Sequence, residues 1–152
     1  MSELNKLLIE AVRNGDLEKV KQTIEHGADV HAHEDEALRW AAIYGHLEVV
    51  KYLTEHVADI HAGGDWALCW AASKGHLDMV KYLIERGADV HAVGDDALRR
   101  AACNGHLEIV KYLVEHGADV HAAVDDYDLR RIAENGHLDV VKYLESLGEN
   151  NE

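Results

Sequence analysis

The chain has 152 residues, is 47% hydrophobic, and carries 15 Lys and Arg against 29 Asp and Glu, for a formal charge of −14. That apolar content excludes a disordered chain, the charge disfavours a phosphate-backbone partner, and the longest apolar run, 66–72, is far too short to cross a membrane. Cys69 and Cys103 fit neither a disulfide framework nor a zinc-finger spacing, and Met1–Asn5 lacks the start of a secretory signal, so a reduced, cytoplasmic setting is expected.

Proline and phenylalanine are absent, and one phrase recurs: GHLEVVKYL at 45–53, GHLDMVKYL at 75–83, GHLEIVKYL at 105–113 and GHLDVVKYL at 136–144. A fixed period of this size marks a repeat array rather than an ordinary globular domain. In chain order, the first unit reads LNKLLIEAVRNGDLEKV. Aligned on Gly15, it puts Lys19, Gln22 and Thr23 where the second unit has Val49, Tyr52 and Leu53, the polar outer face of a capping unit.

The second unit starts at Asp35, which reads as an N-cap for a helix with Ala37, Leu38, Ala41 and Ala42 at helical spacing. After Gly45 a second amphipathic helix places Leu47, Val50 and Leu53 on one face. In sister units this helix ends at Gly27, Gly87 and Gly117, where a left-handed C-cap belongs, and A-D-V-H-A follows as a short extended connector. Val57 replaces that glycine in the second unit, and a locally altered turn is expected there. The alanine pairs 41–42, 71–72 and 101–102 allow neighbouring helices to approach closely. At the far end Asp128 replaces the alanine of the inner units, and the chain is expected to fray from Gly148.

The second helix G-H-L-E-V-V-K-Y-L, the A-A pair and the G-A-D-V-x-A exit together resemble the ankyrin repeat family over about residues 4–147. The departures are regular. The period is 30, 30, 30 and then 31 instead of 33, and E-A-L-R, W-A-L-C, D-A-L-R and Y-D-L-R replace the T-P-L-H helix start, with Asp35, Asp65, Asp95 and Asp126 expected in the helix-starting role. This proline-less type is similar to ankyrin repeats abundant in giant viruses, and the first unit is similar to the caps of consensus-designed ankyrin proteins. The resemblance implies an all-α helical solenoid of five stacked helix-turn-helix units with shortened connectors, in a single domain. The expected units are an N-terminal cap (1–31), inner repeats 32–61, 62–91 and 92–121, a C-terminal cap (122–148) and a disordered tail (149–152).

Eleven of the twelve histidines fall into columns whose neighbours are about one helix spacing apart, roughly 10 Å, too far for two to share one zinc ion at 2.0–2.1 Å; His33 stands alone, and His31-Ala32-His33 offers only a weak two-ligand pair. No metal is expected, and the connector histidines are expected to bridge neighbouring turns. No nucleophile or glycine loop sits in a recognisable catalytic motif, so neither enzymatic activity nor a cofactor is expected.

Subtracting the repeat from itself leaves a variable strip. The resemblance implies that this strip lines the concave face, where ankyrin proteins bind partners. It carries Trp40, Ile43, Tyr44, Trp66, Trp70, Ser73 and Lys74 towards one end, and Arg99, Arg100, Asn104 and Arg131 towards the other. Trp, Tyr and Arg are enriched at interface hot spots. The expected function is non-catalytic binding, by a monomer, of a protein or peptide with an apolar anchor beside acidic groups; the alternative is a stable scaffold without a dedicated partner. Arg39, Arg99 and Arg130 each follow an aspartate by four residues and read first as helix-start ion pairs, whereas Arg100 and Arg131 have no such partner and are the better binding candidates. Trp40 and Trp70 are readable as groove residues or as packing between units. The repeated Tyr52, Tyr82, Tyr112 and Tyr143 read as a packed convex ridge.

Overall fold

The computed structural model describes residues 1–56 and 58–149, and all the regular structure among them is helical. Eleven helices follow in order: α1 (Glu3–Asn14), α2 (Leu17–Glu25), α3 (Ala32–Tyr44), α4 (Leu47–His56), α5 (Ala62–Lys74), α6 (Leu77–Glu85), α7 (Ala92–Cys103), α8 (Leu107–Glu115), the short α9 (Val120–Ala123), α10 (Asp126–Glu134) and α11 (Leu138–Glu149). They form five antiparallel pairs, stacked so that α1, α3, α5, α7 and α10 make one row and α2, α4, α6, α8 and α11 the other. The turn expected at Val57 and residues 150–152 of the expected tail lie outside the described residues. Gly148 and Glu149 belong to the last turn of α11.

Composition explains the layering. Ala41, Ala42, Ala71, Ala72, Ala101 and Ala102 are completely buried, and their small side chains let the first-row helices approach closely. Across the inner units the second row is spaced more widely than the first. Leu38, Leu53, Leu68, Leu83, Leu98 and Leu113 fill the layers between units, each contributing roughly 1.5–3 kcal/mol by leaving water. The result is one continuous core from Leu8 to Leu144.

Two ladders tie each unit to the next. On the second row, Tyr52, Tyr82, Tyr112 and Tyr143 pack against the core. The lysine of the preceding unit lies over each ring, with Lys21, Lys51, Lys81 and Lys111 at 5.6, 5.9, 5.7 and 5.8 Å from the centroids. Burial pushes the Tyr112 and Tyr143 hydroxyls above the usual phenol range, with Glu85 and Glu115 adding to it respectively. On the other side of each turn, histidine reaches backwards. His46, His76 and His106 donate Nε2–H to the carbonyls of Arg13, Ile43 and Ser73 at 2.9, 3.0 and 2.9 Å. These carbonyls belong to the last turn of the preceding first-row helix, where no intrahelical donor remains.

The connectors are tighter than the extended segments expected from sequence. Asp29, Asp59, Asp89 and Asp119 fold back, each accepting from the backbone N–H two residues on, at 2.8–2.9 Å. The tip then turns left-handed: His33, Glu34 and Asp35 have φ of 54°, 58° and 54°, and Val93, Gly94 and Asp95 have 54°, 64° and 59°.

The helix-starting role expected of Asp35, Asp65 and Asp95 is therefore corrected. These residues sit inside the left-handed turn, 4–5% exposed, and their side chains do not cap their own helices. Each carboxylate accepts Nδ1–H from the connector histidine, His31, His61 or His91, at 2.8, 3.0 and 2.9 Å. Each also accepts the backbone N–H of Asp59, Asp89 or Asp119 at 3.0, 3.0 and 2.9 Å. A carboxylate only accepts, so the imidazoles are donors; contrary to expectation they stay within their own turn, and the aspartate makes the bridge to the next. Asn5 takes the aspartate's place in the first unit, accepting from Asp29 N–H at 2.8 Å.

The last unit differs because its spacing is 31. The extra residue lets Val120–Ala123 form a right-handed turn and leaves Val124 extended. Asp126 is the first residue of α10, and its cap is Asp125, which forms a reciprocal capping box with Asp128.

Candidate interaction face

The first-row helices carry the variable strip, apart from Asn104, the cap residue that follows α7. The ends of α3 and α5 carry Trp40, Ile43, Tyr44, Trp70 and Lys74, which with His76 line an open groove of about 610 Å³. Trp40 stacks on Tyr44 with centroids 5.8 Å apart, and Trp66 on Trp70 at 6.4 Å. These pairs follow from helical spacing, because residues four apart share a face.

Each aromatic pair is covered by a guanidinium from a neighbouring unit. Arg13 lies 5.1 Å from the Trp40 centroid and 5.8 Å from Tyr44; Arg100 lies 5.1 Å from Trp70 and 5.7 Å from Trp66. Lys74 sits 5.9 Å from Trp70. Trp40 also packs against the core and donates Nε1–H to Glu36 at 3.0 Å. The two roles considered for Trp40 and Trp70 thus coexist, since both are half-buried, both border the groove and both contact an arginine across a unit boundary.

Trp66 lies apart from the groove, folded over the connector tip. A Cβ on Gly63 would sit 1.8 Å from its ring, so only glycine at 63 allows this placement. Ser73 and Asn104 adjoin across the next boundary, with Asn104 Nδ2 donating to Ser73 Oγ at 3.4 Å and to the Arg100 carbonyl at 2.8 Å. Arg131 is exposed and forms no ion pair among the described residues; it does not join the aromatic groove.

The arginine pairings differ from those read in sequence. Asp35 and Asp95 are already occupied by histidine and backbone donors, so Arg39 approaches Glu36 at 4.0 Å and Arg99 pairs with Asp96. Arg130 donates only to the Asp126 carbonyl, at 3.5 Å. Arg100, expected to lack a partner, is held through Nε by Asp96. Burial pushes the Asp96 carboxyl up, but the hydrogen bonds and charges of Arg100 and Arg99 outweigh it and hold the group below the usual carboxylate range. Beneath this cluster, burial, reinforced by the Asp96 charge, pushes the Cys69 thiol up to about 12. Burial and then Asp128 raise Cys103.

Two residues of the face escaped the sequence reading. Arg13 was visible by aligning Arg13-Asn14 with Ile43-Tyr44. Asp96 was masked by Asp95 beside it. Among the described residues no three His, Cys, Asp or Glu side chains converge as a metal site, no buried side-chain polar atom lacks a partner, and no helix is long and apolar enough to cross a membrane.

Paired helices stacked in register around one continuous core, with unlike residues along one row, define a helical repeat solenoid. The model of three ankyrin repeats matches residues 8–93, 63–124 and 90–152. The chain belongs to the ankyrin repeat family, whose repeats are generally protein–protein interaction modules and typically not enzymes. No curated protein matches the chain.

Proposed function

We propose that this chain is a non-catalytic interaction module that binds a protein partner through the first-row face, acting as a monomer in the cytoplasm. The observation that carries this reading is the prebuilt pair of aromatic platforms, Trp40–Tyr44 and Trp66–Trp70, each topped by an arginine from an adjoining unit, with Trp40, Tyr44 and Trp70 lining an open groove. Ordering large side chains before binding lowers the entropy lost on association. The groove suits an apolar anchor, and Arg13, Lys74, Arg99 and Arg100 suit acidic groups beside it.

A photoreactive residue at position 74 tests this reading. The expected result is a crosslinked protein that disappears in the Trp70→Ala/Arg100→Ala double variant and persists in Glu108→Gln on the opposite row. Equal capture by the wild type and the double variant overturns the face assignment. Capture by neither returns the chain to a scaffold without a dedicated partner.

A further inference from the structure

Asp96 is the one carboxylate on this face that is both buried and bound to two arginines. It is 4% exposed and stands where the second and third units have Glu36 and Trp66. Arg99 reaches it through Nη2 and Arg100 through Nε. Two guanidiniums share this one buried carboxylate, and Asp128 acts on Arg99 only through its charge, without a hydrogen bond. A guanidinium has five N–H donors, and Asp96 takes one from each arginine. The rest find no protein acceptor among the described residues, although the Arg99 side chain is 50% exposed. Arg100 meanwhile lies over Trp66 and Trp70, and Lys74 sits 5.9 Å from the Trp70 centroid. Donors with fixed spacing and no acceptor, next to an apolar platform, match a carboxylate carried beside an apolar side chain. The −14 charge of the chain disfavours an extended polyanion, whereas a short segment meets only the arginine pair.

We infer that Asp96 is the positioning residue of this face, fixing Arg99 and Arg100 as a paired guanidinium receptor beside the Trp66–Trp70 platform for an Asp or Glu next to an apolar residue in a peptide partner. The inference rests on the proposed interaction function and narrows the partner's chemistry.

The test is selection of a random twelve-residue peptide library on the full chain, followed by titration of the enriched peptides. Enriched peptides carry Asp or Glu adjacent to an apolar residue. Asp96→Asn and Arg100→Met each weaken them about tenfold or more, and Asp96→Glu restores part of the loss. Replacing the peptide's acidic residue by its amide costs the wild type about tenfold and costs Asp96→Asn little, a coupling that a merely structural role for Asp96 does not produce. Thermal melts check folding. If Asp96→Asn does not fold, Arg100→Lys, with Asp96 intact, carries the same coupling test.

Peptides that depend on Trp70 but lack acidic residues, or acidic peptides indifferent to Asp96, overturn the inference and leave the interaction reading standing. Peptides indifferent to Trp70 overturn both. Absence of any enriched peptide overturns the receptor.

Discussion

Gly75 and His106 form a matched pair across the boundary between the third and fourth units. The imidazole donates Nε2–H to the Ser73 carbonyl at 2.9 Å, and its ring fills the space beside Gly75, where a Cβ would lie 2.7 Å from it. The hydrogen bond and the close approach recur at Gly15 with His46 and Gly45 with His76, and the close approach alone at Gly105 with His137. The repeated G-H dipeptide therefore works between units, each glycine making room for the histidine of the next.

Gly75→Ala is expected to cost about 1–2 kcal/mol from its φ of 83° alone, and more from the collision with His106. In a His106→Ala background the collision vanishes and only the backbone cost remains. Urea unfolding of the four proteins measures this coupling; strict additivity contradicts the pairing.

Val93 is a branched residue at φ 54°, 68% exposed. The third unit has Gly63 at the matching position, with φ 63°. Val93→Gly is expected to stabilise the protein by up to about 1 kcal/mol, the relief of left-handed strain being partly offset by glycine's greater unfolded-state entropy. The melting temperature should rise by a few degrees, about 2–4 °C per kcal/mol at this size.

Asp95→Ala removes the acceptor of His91 Nδ1–H and of the Asp119 backbone N–H. Leaving buried donors unsatisfied costs about 1–3 kcal/mol. Hydrogen exchange should show the Asp119 amide losing protection while Asp59, held by Asp35, keeps its own.

Cys69 is expected to resist alkylation in the folded protein at pH 9 and to react at once in denaturant, because its thiol is raised from an ordinary 9.0 to about 12. The unfolded thiol ionises first, so its contribution is fully present below pH 9 and is lost as pH rises towards 12. Stability should fall over that window in the wild type, and less in Cys69→Ala.

The helices, their pairing and their phase were legible because a strict period repeats both the apolar pattern and the glycine between helices. The platforms were partly legible: Trp40 with Tyr44 and Trp66 with Trp70 are four residues apart, a relation any helix enforces. Charge pairing was not. Arg99 is four residues from Asp95 and three from Asp96, and both spacings suit a helix; the left-handed turn turns Asp95 away towards His91 and Asp119, so Asp96 takes the arginines.

The sequence by itself determined the solenoid, since local period and side-chain size dictate which faces are buried and how closely helices approach. Only the tertiary structure decided which unit supplies the partner of each polar side chain. Those contacts cross 24 to 33 residues, from Asp35 to Asp59 and from Arg13 to His46, and the stacking brings them within hydrogen-bond reach.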